Sequence, residues 1–160
     1  MLRPRLRTIS SLDYCRVRGL SLASCVTRAT RVATDPRGIM IPSMVSTRLR
    51  HFEITKDALG CRATAEMWEK LKHSDGQSLY NAACMRAVTA AVFAKSPAAN
   101  AARLAKEEAD RAMAWLKQAV AAGYKDVEHM KKDKDLDTLR DREDFKKLLT
   151  ELEARTEKKQ

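Results

Sequence analysis

The chain has 160 residues, 44 % of them hydrophobic and only 5 % aromatic, and a net charge of +10. That length allows one small domain, and a core so poor in aromatics has to be built from closely apposed, alanine-rich helices. No run approaches the roughly 18 apolar residues a membrane span requires, so the expected setting is the cytoplasm.

Residues 1–50 stand apart. They hold ten Arg, no Lys and two acids (Asp13 and Asp35), a net of +8, whereas residues 51–160 carry 21 basic and 19 acidic groups. Three of the four prolines are here (Pro4, Pro36, Pro42), and no helical period is sustained. A segment with scattered apolar groups buries too little surface to offset its ordering entropy. The expectation is a mostly disordered basic arm over 1–50, followed by a helical domain over 51–160. Such an arm has the composition of an organellar transit peptide or of a phosphate-binding extension. The abrupt switch to Lys-rich usage after Lys56 favours a third reading, a linker remnant or sequence upstream of the true start.

The spacing of Ala58, Cys61, Ala65, Trp68 and Leu71 predicts a helix from about Asp57 to Leu71, and Ser74-Asp75-Gly76 marks its end. A second helix is expected from Gln77 to Lys95. Its polar residues Ser78, Asn81, Arg86 and Thr89 form one narrow stripe, so it belongs in the middle of the bundle. Ser96-Pro97 closes it. A third helix is expected from Ala98 to Ala122, with Ala105, Ala109, Ala112, Leu116 and Ala119 on one face and Gly123 as its left-handed stop.

Asp126 reads as the N-cap of a short helix containing Val127 and Met130. In the following DKDLDTLRD knuckle, Leu136 and Leu139 should point inward. Asp141 is expected to cap a last helix with Phe145, Leu148, Leu149 and Leu152 on its apolar face.

Few residues suggest chemistry. Cys15, Cys25, Cys61 and Cys84 show no CxxC spacing, and His51, His73 and His129 are scattered, so neither a metal site nor a cofactor site is expected. A Cys61–His129 pair could arise only through folding. The acids Asp133, Asp135 and Asp137 lack the Gly and distant Glu of a calcium loop, and read as turn and caps.

YNAAC at 80–84, with Ala112, Leu116 and Ala119 and the turn at Gly123-Tyr124, resembles the two helices of a tetratricopeptide unit. The run AVAAGYKDVEHMKKDKDLDTLRDREDFKKLL resembles the sequel that follows the last repeat in the C-terminal tail of planctomycete-type bacterial serine/threonine protein kinases. The likeness covers about residues 56–153. It departs in spacing, longer than the standard unit by about half, and in Arg86, which stands where a tyrosine is usual.

The resemblance implies an all-α, antiparallel, tetratricopeptide-like stack that binds a protein or peptide, with Tyr80, Asn81, Cys84 and Arg86 as candidate contacts. On the residues alone, Tyr80 and Cys84 read equally as core, Asn81 as bonded to the adjacent turn and Arg86 as a solvated charge. The chain has no glycine-rich GxGxxG loop, VAIK lysine, HRD loop or DFG, so phosphoryl transfer by the kinase route is not expected. A non-catalytic scaffold, open to self-association because it holds fewer than three repeats, is the leading expectation. Nucleic-acid or acidic-surface binding through the Arg-rich arm is the alternative.

Overall fold

The computed structural model describes residues 42–157, and side chains over 44–155. By contact the chain divides into two units, Met1–Met44 and Val45–Gln160. Among the described residues all regular structure is helical: α1 (Pro42–Ile54), α2 (Ala58–Glu69), α3 (Gly76–Ala94), α4 (Ala101–Ala121), α5 (Val127–Lys132), a 3-10 helix (Lys134–Leu139) and α6 (Glu143–Glu157). The expected all-α class is therefore found.

The first helix runs across residue 50, where the expected arm ends. Val45, Leu49 and Phe52 are buried at i, i+4 and i+7, a period that crosses residue 50 and is cut in two by a boundary drawn there. The rest of the expected arm, residues 1–41, lies outside the described residues.

Helices α2 and α3 form one antiparallel pair. Asp57 caps α2 through Gly60 N–H at 2.9 Å, and Asp75 caps α3 through Ser78 N–H at 2.8 Å, each satisfying an orphan donor. Trp68 Nε1 donates to Ser78 O at 2.9 Å near one end of the pair. Near the other end the Arg62 guanidinium lies 4.7 Å from the Phe93 ring centroid.

Helices α3 and α4 form the second antiparallel pair. Gly76 sets how close they come: a Cβ there would lie 2.8 Å from Tyr124 N and 3.2 Å from Ala119 O, both backbone atoms. The far end of α4 closes as expected. Gly123, at φ +99°, donates to Val120 O at 3.1 Å, and Tyr124 N–H reaches Ala119 O at 2.9 Å. That bonding pattern is a Schellman closure.

Helix α4 begins three residues later than expected, because Ala98–Asn100 make a turn after Pro97, with Ala101 N–H bonded to Ala98 O at 2.9 Å. Asp126 caps α5 through His129 N–H at 2.8 Å. Leu136 and Leu139 are both fully buried, in one cluster with Phe145, Leu148 and Leu152 of α6. Asp141 does not cap α6. The helix starts at Glu143, and Arg142 precedes it, its carbonyl accepting from Lys146 N–H. The Arg142 guanidinium forks onto Asp144, with two bonds of 2.9 Å, and reaches Asp110 of α4 at 2.8 Å. This arginine links the start of α6 to α4 at a partly exposed site.

Candidate contact residues and two polar clusters on α3

Helix α3 is the central rod, covered around most of its circumference from Leu79 to Phe93. A hydrophobic helix of this kind is stable only when its polar side chains find partners inside. They do so in two clusters.

The first joins α2, α3 and α4 around Arg86, which is 1 % exposed. Its Nε and Nη2 donate to the two oxygens of Glu69 at 2.7 and 2.6 Å, and its Nη1 to Glu108 Oε2 at 2.7 Å. Trp115 Nε1 also donates to Glu69, at 2.7 Å. Glu108 is 0 % exposed. Its second oxygen lies 2.7 Å from Arg62 Nε, but the N–H does not point at it, so this contact is an ion pair without a hydrogen bond. Burial pulls the Glu69 carboxyl upward. Its bonds to Arg86 and Trp115 outweigh that pull and hold it below the ordinary carboxylate range. Burial likewise opposes the Arg86 charge, and the two carboxylates more than restore it.

The second cluster ties α3 to the segment after α4. Tyr80 Oη donates to Asp133 Oδ2 at 2.8 Å, and the Cys84 thiol lies 3.6 Å from the same oxygen. His129 Nε2 stands 3.5 Å from it. The Tyr80 ring stacks on Tyr124, with centroids 4.2 Å apart and planes 5° from parallel. Asp133 Oδ1 accepts from Asp135 N–H at 3.0 Å, capping the 3-10 helix. Burial pushes Asp133 up, but the bonds from Asp135 N–H and Tyr80 hold it below its usual value. Burial first, then Asp133, pushes the Cys84 thiol far above its ordinary value. Burial raises Cys61 to about 12. A nucleophilic cysteine needs the opposite environment, partly exposed and electropositive.

The four sequence-derived candidates thus have different fates. Tyr80, Cys84 and Arg86 are buried, and Arg86 is not the solvated charge expected of it. Asn81 is half-buried at the surface of α3, where its side-chain oxygen accepts from Gln77 Nε2 at 3.2 Å. The narrow polar stripe expected on α3 is interrupted by burial of Arg86 and of Thr89, whose hydroxyl donates to Met85 O at 2.7 Å.

Sequence reasoning overlooked Glu69, Glu108 and Trp115; it read Asp133 as a cap, which it is, but not as the partner of Tyr80. The signal for Glu108 was its register. It falls four residues before Ala112 and seven after Ala101, both buried on the core-facing side of α4. A carboxylate there, with an arginine mid-way along the most apolar helix, points to an interior pair.

Among the described residues no group of His, Cys, Asp and Glu is arranged to hold a metal ion, and no helix is long and apolar enough to cross a membrane. No family model, curated protein or solved structure matches the chain.

Proposed function

We propose that this helical stack is a non-catalytic scaffold that binds a protein or peptide, in the manner of the tetratricopeptide tails its sequence resembles. The observation that carries the reading is the fate of the polar groups on α3. Tyr80, Cys84, Arg86 and Thr89 are committed to intramolecular partners, and burial keeps both described thiols protonated. Such groups position helices, whereas a catalyst needs a titratable or nucleophilic group in reach of substrate. Recognition then falls to side chains at the surface, Asn81 and Gln77 foremost on α3. An amide pair can bond the backbone of an extended or helical peptide without ordering much new structure.

The test is peptide-library binding to the full chain and to Asn81→Ala. Replacing Asn81 should weaken a selected peptide about tenfold while the melting temperature stays within about 2 °C of the parent. Unchanged affinity removes Asn81 from the surface. Magnesium-dependent phosphate transfer from ATP by the purified chain would overturn the scaffold reading itself.

The concentration of eight Arg and two Asp in residues 1–41 supports a second reading, binding of nucleic acid through the arm. The same preparations separate the two. Salt-sensitive DNA binding that disappears when residues 1–41 are removed belongs to the arm, and peptide binding that survives the removal belongs to the stack.

A further inference from the structure

Among the described residues, Ile54 and Leu59 are the large apolar side chains left open to solvent, at 77 % and 66 % exposure. They stand on either side of the turn between α1 and α2, formed by Thr55, Lys56 and Asp57. The turn contains neither Gly nor Pro. Lys56 N–H bonds Glu53 O at 3.1 Å and Asp57 N–H bonds Phe52 O at 2.9 Å, which is a second Schellman closure. The residue forced to positive φ is Lys56, at +56°, where glycine is the preferred occupant. Closing the turn holds a lysine in a conformation that disfavours it. Nothing in these three residues prevents them from being helical.

The pattern of α2 continues backwards through that turn. Ile54, Ala58, Cys61, Ala65 and Trp68 follow at steps of four, three, four and three. The last four are buried on the core side of α2. On an unbroken helix Ile54 would extend the same face, and in the closed turn it is displaced into water.

The contacts across the turn have matching symmetry. Arg48 Nε donates to Thr64 Oγ1 at 3.0 Å, eight residues either side of Lys56. Phe52 lies on the bare backbone of Gly60, where a Cβ would come within 2.3 Å of its ring, four residues either side. Two copies with α1 and α2 straightened into one helix can therefore lie antiparallel about Lys56 and re-form both contacts between them. The third anchor of α1, Arg50 Nη2 to Asp135 Oδ1 at 2.5 Å, re-forms in the same way.

From this geometry we infer that the chain dimerises by exchanging α1, each copy docking its first helix on the α2 and 3-10 surface of the other. The occupant is a second copy and not a foreign helix, because that surface already fits α1 in shape at Gly60 and in charge at Asp135. Exchange preserves the three contacts between α1 and the rest of the stack, gives up the Asp57 cap on Gly60 N–H for continuous helical bonding, releases Lys56 from positive φ and returns Ile54 to the helical stripe. The inference does not rest on the scaffold reading, since it uses no peptide and none of the α3 candidates.

The test mixes two full-length variants, Arg50→Glu and Asp135→Arg, unfolded together, refolded and weighed by native mass spectrometry. Each variant alone sets like charges against each other at the α1 anchor, in monomer and homodimer alike. Only an exchanged heterodimer restores opposite charges at both anchors. Heterodimer should therefore exceed homodimers by about tenfold over random pairing. Random pairing would show a dimer joined without exchange, and a mixture that stays monomeric would show none; either overturns the inference. Lys56→Gly in the otherwise unchanged chain gives an independent reading, because glycine suits the closed turn. It should lower the dimer fraction about three- to tenfold, and a dimer fraction that holds or rises sinks the proposal.

Discussion

Arg86→Ala should destabilise the protein by about 3–5 kcal/mol, the largest loss expected of any single substitution in it. The guanidinium is the counter-charge of two carboxylates, Glu69 and the fully buried Glu108. Truncating it leaves both facing a cavity, with Glu108 dependent on Arg62 and a distant Arg111 at 4.0 Å. For a folded part spanning residues 42–157 each kcal/mol is worth about 4 °C in melting temperature, so thermal melts followed by circular dichroism should fall by about 10–20 °C. Charge removal and loss of packing are separated by the triple replacement Arg86→Met, Glu69→Gln, Glu108→Leu. Its apolar groups fill the space and leave only Arg62, itself 24 % exposed, without its carboxylate, so it should melt much closer to the parent than Arg86→Ala does. A loss below about 1 kcal/mol for Arg86→Ala would mean the network is solvated and holds nothing in register.

The two polar clusters on α3 shape the response to acid. Glu69 and Asp133 are both held below their ordinary carboxylate values of 4.5 and 3.8 when folded. A depressed folded value stabilises above the unfolded pKa, and that stabilisation is lost as pH falls through the folded one. Asp135 works in the opposite direction. Burial raises it despite its bond to Arg50, so its protonation relieves part of the loss. Urea midpoints should be flat from pH 7 to about 5 and then decline below about pH 4.5. In Glu69→Gln the decline should be shallower. An acid limb of equal slope in that variant would remove Glu69 as its source.

Leu136→Ala and Leu139→Ala are each expected to cost about 2–5 kcal/mol, second only to loss of Arg86. Both side chains are fully buried although they sit in a six-residue 3-10 helix surrounded by charges. They join the apolar face of α6 to the Tyr80–Tyr124 end of the stack, so a cavity there weakens two interfaces. The polar frame around them is rigid. Asp133 caps the helix, and the Arg140 guanidinium bonds Asp133 O at 2.9 Å and also Lys131 O. With the backbone so pinned, the site cannot collapse to fill the void, which puts the cost toward the upper end. Denaturant titration of each variant measures it, and losses under about 1 kcal/mol would show the segment to be loosely docked.

Much of this was legible in the residues. The 3.6-residue period of α2, α3, α4 and α6 gave their positions to within a few residues, because an apolar face repeated over several turns has no other use. Asp126 and Gly123 marked helix ends through local chemistry alone. Less legible was α1, whose three buried residues straddle a composition boundary and are spread over one short helix. The candidate site was the least legible part. Tyr80, Asn81, Cys84 and Arg86 lie within seven residues of one helix, yet three of them face inward and one outward.

What the sequence determined by itself is the class of fold, since helical periodicity and end signals are properties of neighbouring residues. Which charges are buried was decided by the tertiary structure. Arg86, Glu69 and Glu108 are separated by up to 39 residues, and an arginine on an apolar helix reads as solvated until two carboxylates are delivered to it. Whether a buried charge is tolerated depends on partners within about 3 Å in space, and no local pattern specifies that distance.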